Sequence, residues 1–325
     1  RRQRQMCIRD RVYYMLPIPT QRLLWPNFLS PLMFDVIAIS TYLTVSSLFW
    51  YTGLLPDLAA VRDRTTGLRH KIFRLLSFGW SGAHEQWRHY TRGYLFFAAL
   101  ATPLVISVHS VVSWDFALAI VPGWHTTIFA PYFVAGAIHS GLAMVLTLMI
   151  PLRKLFKYEH IITIEVLQNV AKTIVLTGLI VGLAYGTEYF IAWYSHNPIE
   201  MEQFRWRAVG EYRWGFYFMV ICNTLTPLLF LWKKIRTSIV PLFIISLIIN
   251  FGMWWERFVI IIGGVAHGFA PHAWGLYAPT WVEFGIMIGT FCFFFFLFMM
   301  FAKHLPSVSM TEMKETVAGG HDHDA

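Results

Sequence analysis

Four ionisable side chains stand in or beside two long apolar runs within residues 94–154. His109 and Asp115 lie towards the end of the first run, His125 in the connecting turn and His139 inside the second run. An ionisable side chain at membrane depth costs about 2.5–3.5 kcal/mol on insertion scales, so such groups usually have a partner or a function. Their grouping indicates proton or redox chemistry at one membrane face, although an interfacial role for Asp115 and a hydrogen-bonded packing role for His139 stay open.

Further ionisable residues fall in other apolar runs, mostly towards the same face. Asp35 begins the first run, Glu188 lies in the last third of the fourth, and Glu283 begins the seventh. Glu256 and Arg257 are adjacent in the sixth run and project about 100° apart on a helix, so each is expected to pair with another helix. A structural ion pair and a catalytic role are both open for these two residues, and an interfacial role is open for Glu283.

Composition places the chain in a bilayer. The 325 residues are 56% hydrophobic, 17% aromatic and only 14% charged, with a mean hydropathy of +0.52, whereas a soluble domain carries about 25% charge. The net charge of +8 arises in the breaks between apolar runs, so it does not indicate nucleic-acid binding. Cys7, Cys222 and Cys292 are isolated, which argues against an iron–sulfur or metal site within this chain.

Seven segments are long and apolar enough to be membrane-spanning helices, each needing about 20 residues. They are residues 31–55, 93–114, 127–151, 168–194, 214–232, 237–262 and 281–302. Pro103 and Pro227 fall inside spans and predict kinks there. The sequence therefore predicts an all-α integral membrane protein.

The distribution of Lys and Arg predicts how the spans are oriented. These residues concentrate on one side of the membrane, in segments 62–88, 153–157, 233–236 and 303–314. Loops 115–126 and 263–280 on the opposite side contain neither residue type. The positive-inside rule then places the C-terminus in the cytoplasm and most of the membrane-embedded ionisable residues towards the outer face.

Three segments outside the spans carry separate predictions. We interpret residues 1–26 as the remnant of a truncated N-terminal region, with the basic stretch 1–11 artefactual because MCIRDR resembles a translated sequencing adapter. In the long basic loop 56–92, TTGLRHKIFRLLSF fits either an amphipathic helix at the lipid headgroups or a solvated connector. The polar tail 304–325 is expected to be a disordered cytoplasmic segment.

Several long stretches resemble one known family. They are SPLMFDVIAISTY, FWYTGLLPDLAAVRD, FGWSG, YLFFAALATPLVISVHSVVSWDFA, PGWHTTIFAPYFVAGAIHSGLAMVLTLMIPLRK and TGLIVGLAYGTEYFIAWYS. The resemblance is to the NrfD/polysulfide-reductase membrane-subunit family, and most closely to the large quinol-oxidising membrane subunit of bacterial alternative complex III. It extends over about residues 27–317, and it implies an NrfD-like transmembrane domain at 27–303.

The resemblance implies a fold and a set of partners. Such subunits have ten spans in two four-helix bundles plus peripheral helices, so this chain would hold one bundle, part of a second and peripheral helices, with three spans missing. They hold no haem, cluster or metal, bind menaquinol or ubiquinol near the periplasmic face of the bacterial inner membrane, and pass electrons to an iron–sulfur subunit. The complex also includes multihaem c-type cytochrome subunits and a second related membrane subunit, and proton translocation has been proposed.

The resemblance also implies site residues. Asp35 in SPLMFD matches the quinol-pocket aspartate, whereas the pocket histidine expected on the preceding helix is absent. His109, Asp115 and His139 match helices in which a proton path has been proposed, and Glu188 joins them as a candidate because of its depth. The stretch HIITIEVLQN departs from the family pattern, which leaves the roles of His160 and Glu165 open.

Two alternative functions compete with a quinol-oxidising subunit. One is a cytochrome b-type subunit in which His109 and His139 are the axial ligands of a haem b, although the two residues sit at different depths. The other is a proton-coupled transporter that uses the acidic residues as its proton path. A reducible haem band would favour the former, and purification without redox partners would favour the latter.

Overall fold

The computed structural model describes residues 31–119, 121–269, 272, 274–306 and 309, and the regular structure within them is helical. The α-helices in this part of the chain are α1 (Pro31–Asp63), α2 (Gly67–Leu76), α3 (His84–Ala117), α4 (Phe129–Leu155), α5 (Ile164–Tyr194), α6 (Pro198–Val209), α7 (Arg213–Val220), α8 (Lys233–Arg236), α9 (Ile239–Ala266) and α10 (Trp281–His304). The predicted remnant 1–26 and most of the predicted tail 304–325 lie outside the described residues.

Seven helical stretches of the described chain are long and apolar enough to cross a bilayer. They are Met33–Asp63, His84–Ala117, Phe129–Leu155, Ile164–Tyr194, Arg213–Leu231, Ile239–Ala266 and Trp281–His304. The predicted all-α fold with seven spans is therefore confirmed, and the protein is an integral multi-pass membrane protein. Large apolar side chains stay exposed along these helices, as expected for surfaces that face lipid.

The fifth span is not one continuous α-helix. After α7 the backbone forms a π-helical turn, Ile221–Leu225, and then a 3₁₀ segment, Thr226–Leu231. Pro227 lies at the start of this segment, where its missing N–H cannot complete the α-helical hydrogen-bond pattern. The sequence prediction of a distortion at Pro227 is confirmed, and the π turn places Asn223 in the protein interior with no exposed surface.

The described residues divide into two compact units. The first combines the residues up to Ala38 with Ile106–Tyr277. Its centre is a four-helix bundle in which α4 packs on α5 and α9, and the broken fifth span packs on α5 and α9. We call the end of this bundle near Phe129 its outer end and the end near Leu155 its inner end, following the predicted orientation.

The interior of this bundle changes character along its length. Towards the inner end it is aliphatic, with Leu146, Leu167, Ile174 and Leu242 among its fully buried side chains. Towards the outer end it is aromatic; Trp124, Phe129, Tyr132, Phe133 and Tyr185 pack there. The aromatic end includes two tyrosines whose hydroxyl groups require hydrogen-bond partners when buried.

The second unit combines Ile39–Val105 with the described residues from Ala278 onward. In it, Leu54 and Leu58 of α1 pack with Phe73 of α2, and Leu305 joins this cluster. The helix α10 begins with a capping box, in which Glu283 N donates to Thr280 Oγ1 at 3.4 Å and Thr280 N donates to Glu283 Oε2 at 2.6 Å. Glu283, whose role the sequence left open, therefore stabilises the start of a helix.

Candidate functional site

A carboxylate lies in the centre of the first unit. Glu256 has no exposed surface, because it belongs to the stripe of α9 that also buries Ile249, Met253, Val259 and Ile260 at helical spacing. A buried carboxylate at this depth must be protonated or must receive hydrogen bonds from its neighbours.

Two neutral side chains supply those hydrogen bonds. The Tyr185 hydroxyl donates to Glu256 Oε2 in a short contact. Asn223 Nδ2 lies 3.1 Å from the same oxygen and 3.0 Å from the Tyr185 hydroxyl oxygen, to which it also donates. The three residues come from α9, α5 and the π turn, so the network joins three spans of the bundle.

Arg257 takes a different position from its neighbour in sequence. Its guanidinium carbon lies 4.2 Å above the ring of Phe133 on α4, a cation–π arrangement. Its Nη2 also lies 3.9 Å from Glu256 Oε1, at the long limit for an ion pair. The sequence led us to expect partners on other helices; Glu256 and Arg257 both have them, and in addition they contact each other.

A second buried acid lies one helical turn from Tyr185, towards the outer end. Glu188 Oε2 is 3.8 Å from Arg207 Nη1, and both side chains are about 5% exposed. Arg207 comes from α6, and its guanidinium packs 4.9 Å from the Phe204 ring centre. Glu188 Oε1 and Arg207 Nε have no hydrogen-bond partner among the described residues, so this pair is only partly satisfied.

His139 lies deeper in the bundle and is also fully buried. Its Nδ1 is 2.9 Å from Thr177 Oγ1 on α5, and its Nε2 has no hydrogen-bond partner within the described chain. A methyl group added at Gly178 would lie 3.1 Å from His139 Cε1 and 3.2 Å from the Asn223 carbonyl oxygen. The histidine and the Glu256 network are thus neighbours around one glycine.

Uncharged polar residues continue this line towards the inner end. Thr147 Oγ1 and Ser246 Oγ are 2.9 Å apart, and Asn250 Nδ2 donates to Thr147 Oγ1 at 2.9 Å. From Glu256 to Ser246 the rise along α9 is about 15 Å, so with Glu188 the set extends over about 20 Å. We call these groups, from Glu188 to Ser246, the polar column.

The structure brings together two aspartates that the sequence treated separately. The carboxyl groups of Asp35 on α1 and Asp115 on α3 lie in hydrogen-bonding contact, and both belong to the first unit. Each has a buried Oδ1 that receives no hydrogen bond from the described residues. His109, the other candidate on α3, lies six residues earlier, which turns it about 120° away from Asp115 around the helix.

The outer end also holds a stacked histidine outside the spans. The ring of His267 lies between Trp206 and Trp274, with centroid distances of 4.5 and 3.7 Å. The residue is 4% exposed, and burial lowers the pKa of its imidazole, while the negative charge of Glu202 partly offsets that effect. The sequence places this histidine in the loop 263–280, and its stacking could not be read from the sequence.

Two cavities open at this end of the unit, and His125 lines both. One, of about 310 Å³, lies between His125 and the start of α6, where Asn197 and Glu200 line it. The other, of about 350 Å³, lies between His125 and Trp114 of α3. Among the residues that the structure describes, no group of three His, Cys, Asp or Glu side chains is arranged to hold a metal ion.

The described chain has seven helices able to span a membrane, and four of them form a bundle with a buried column of acids, tyrosine, amide and histidine. These features define a multi-pass helical membrane protein with groups able to exchange protons in its interior. Residues 20–268 match the family model described as polysulphide reductase, NrfD, and the chain belongs to that family. It is also similar to a protein of Halobacterium salinarum that is named as a putative membrane subunit of dimethyl sulfoxide reductase. The two are 25% identical over 332 aligned positions, which cover 91% of this chain and 68% of the relative.

Proposed function

We propose that this protein is the membrane subunit of a quinol-oxidising complex, similar to the large quinol-oxidising subunit of alternative complex III. Family membership and the named relative, a putative reductase membrane subunit, support a place in a redox complex. The observation that carries the proposal is the contact between the Asp35 and Asp115 carboxyl groups at the predicted outer face.

Two touching carboxyl groups suit the proton chemistry of quinol oxidation. A proton that either carboxyl group takes up can be shared with the other through their contact and passed on from there. Quinol oxidation releases two protons and two electrons, and the first proton must leave a phenolic hydroxyl. In our proposal Asp35 accepts a hydrogen bond from that hydroxyl, and Asp115 shares the proton that Asp35 takes up.

The polar column is the proposed route for protons within the bundle. Glu188, Glu256 and His139 each carry an atom with no hydrogen-bond partner in the described part of the chain. In a protein interior, ordered water molecules usually form hydrogen bonds to such atoms. Tyr185 and Asn223 bond to Glu256, and Asn223 and His139 are neighbours around Gly178, so these groups are adjacent from Glu256 to His139. His109 and Asp115 would extend this route on α3.

The proposed partners follow from where the acids lie. A quinol oxidised near the periplasmic face needs only a short electron transfer to an iron–sulfur subunit docked there, which would feed multihaem c-type cytochrome subunits. The proposed complex also contains a second related membrane subunit. Menaquinol and ubiquinol both suit this proposal, in which the chain holds no haem, cluster or metal and spans the bacterial inner membrane with a cytoplasmic C-terminus.

The test is Asp35→Asn and Asp115→Asn in the subunit within its native membrane complex. Because a positioned acid or base typically contributes 10²–10⁴-fold, we expect Asp35→Asn to lower quinol-dependent electron transfer by about 10²-fold. The matched control is Asp63→Asn on the same helix, where the carboxylate is 64% exposed and pairs with the neighbouring Arg62.

Assembly is followed by co-purification of the iron–sulfur subunit, and that subunit's reduction by dithionite shows that its clusters are intact. Full turnover in an assembled Asp35→Asn complex would refute the proposed site. An absorption spectrum of the same preparation separates the haem alternative, because a haem b band that is lost in His139→Ala would contradict a haem-free subunit. Purification of an active transporter without redox partners would contradict the function as a whole.

A further inference from the structure

The basic loop between the first two spans contains a helix with an unusual distribution of apolar residues. In α2, Leu68, Ile72 and Leu75 recur at spacings of four and three, so they share one face, and they are 75, 48 and 78% exposed. Phe78, just after the helix, is 86% exposed. Large exposed apolar side chains that share one face of a helix form a surface that water solvates poorly.

The opposite side of α2 is held firmly in the second unit. Phe73 is buried against Leu54 and Leu58 of α1, and His70 Nδ1 lies 3.0 Å from the Arg62 carbonyl oxygen. The Tyr51 hydroxyl donates to the Leu76 carbonyl oxygen at 2.7 Å. The apolar stripe therefore points away from the unit because its opposite face is occupied, and the helix cannot simply rotate to bury it.

Positive charges flank the stripe on both sides. By helical geometry, Lys71 lies about 70° to one side of the centre of the stripe and Arg69 about 90° to the other. Both side chains are exposed, as is Arg74. An apolar stripe between cationic borders is the pattern of a helix lying in the headgroup region of an anionic bilayer.

The depth of α2 agrees with that arrangement. The helix α10 has 24 residues, or about 36 Å, which is little more than the roughly 30 Å of a hydrocarbon core. Leu305 directly follows α10 and packs in the same cluster as Phe73 and Leu76 of α2. The helix α2 therefore lies where α10 leaves the hydrocarbon, at the level of the lipid headgroups.

We propose that α2 is an interfacial anchor, in which Leu68, Ile72 and Leu75 insert below the phosphates of anionic lipids and Arg69 and Lys71 bind those phosphates. Such an anchor fixes the depth of the protein at one face of the membrane. A solvated connector and a docking surface for another protein are the two competing explanations, and each predicts different accessibility.

The experiment is nitroxide labelling of the full chain in nanodiscs of phosphatidylcholine with phosphatidylglycerol. In a background without the natural cysteines, labels are placed by Leu75→Cys and, as the matched control, Lys71→Cys. Label mobility alone is uninformative, so collision with oxygen, which partitions into lipid, is compared with collision with a water-soluble nickel complex. We expect position 75 to favour oxygen and to meet nickel several-fold less often than position 71.

Two results would overturn the proposal. Equal nickel accessibility at positions 71 and 75 would show a solvated connector, and exclusion of both reagents at position 75 would show that protein covers the stripe. The charge contribution is tested by replacing Arg69, Lys71 and Arg74 with Gln: the depth of position 75 in phosphatidylglycerol should then fall to the depth measured in pure phosphatidylcholine. If position 75 has the same depth in both lipids while Arg69, Lys71 and Arg74 are all present, the proposed binding of anionic lipids is wrong.

Discussion

Removing one hydroxyl group from the bundle interior, by Tyr185→Phe, should destabilise the protein by about 2 kcal/mol. The hydroxyl takes part in two contacts: it donates to Glu256 and accepts from Asn223 at 3.0 Å. Interhelical hydrogen bonds in membranes average only about 0.6 kcal/mol. A buried group that is left without its hydrogen-bond partner costs about 1–3 kcal/mol. We expect the higher range because Glu256 is 0% exposed and water cannot replace the lost donor.

A double-mutant cycle isolates the tyrosine–carboxylate contact from the loss of packing. Unfolding of the purified protein in mixed micelles is measured for Tyr185→Phe, Glu256→Leu and the double variant, and the coupling energy should be about 1–2 kcal/mol. The control is Tyr189→Phe, one turn along the same helix, where the hydroxyl is 3.5 Å from the Phe204 carbonyl oxygen. That variant should cost less than about 0.5 kcal/mol.

The cycle can fail in two informative ways. A coupling energy below about 0.5 kcal/mol would refute the network, because directly bonded side chains couple more strongly than that. A large effect of Tyr189→Phe, equal to that of Tyr185→Phe, would show that the cost arises from losing any tyrosine hydroxyl in α5.

Two further predictions concern the helix α9 and its end. Burial lowers the pKa of His267 in the folded protein. As the pH falls through about 6.5, this histidine therefore takes up a proton in the unfolded chain but not yet in the folded protein. The free energy of unfolding should decrease below that pH. Thermal unfolding between pH 7.5 and 5 should show this loss, and His267→Phe, which keeps a ring in the stack, should reduce it. A methyl group at Gly252 would clash with Asn223 Oδ1, whereas at Gly263 it would meet nothing within 4 Å. In the same unfolding assay, Gly252→Ala should therefore lower the free energy of unfolding by about 1–3 kcal/mol, and Gly263→Ala should leave it almost unchanged. Equal effects of the two substitutions would contradict the close approach of the π turn to α9.

The sequence identified most of the charged members of the column but few of their partners. Glu188, Glu256 and His139 are conspicuous because a titratable group inside an apolar run is rare. Tyr185, Asn223 and Thr177 carry no charge and are common in membrane helices, so their residue types alone did not mark them. Two signals could have found them: Tyr185 shares the buried stripe of α5 with Val181 and Glu188, and Asn223 precedes the span-breaking Pro227.

Arg207 was missed for another reason. It lies in an outer-side segment with Arg205, Arg213 and several acids, where the simplest interpretation is a solvated, charge-balanced loop. The structure instead gives this segment a helix, α6, and buries the Arg207 side chain beside Glu188. Whether an amphipathic segment turns a charge inward depends on what lies beneath it, and sequence periodicity alone does not contain that information.

The sequence by itself determined the number of spans and the membrane character of this protein, because both depend on the summed hydropathy of contiguous residues. It also marked the residues that do not fit an apolar environment. Only the tertiary structure decided which of them meet: Asp35 with Asp115, Glu256 with Tyr185 and Asn223, and Glu188 with Arg207. Those contacts depend on the rotation of each helix about its axis and on its neighbours, which packing across the whole unit sets.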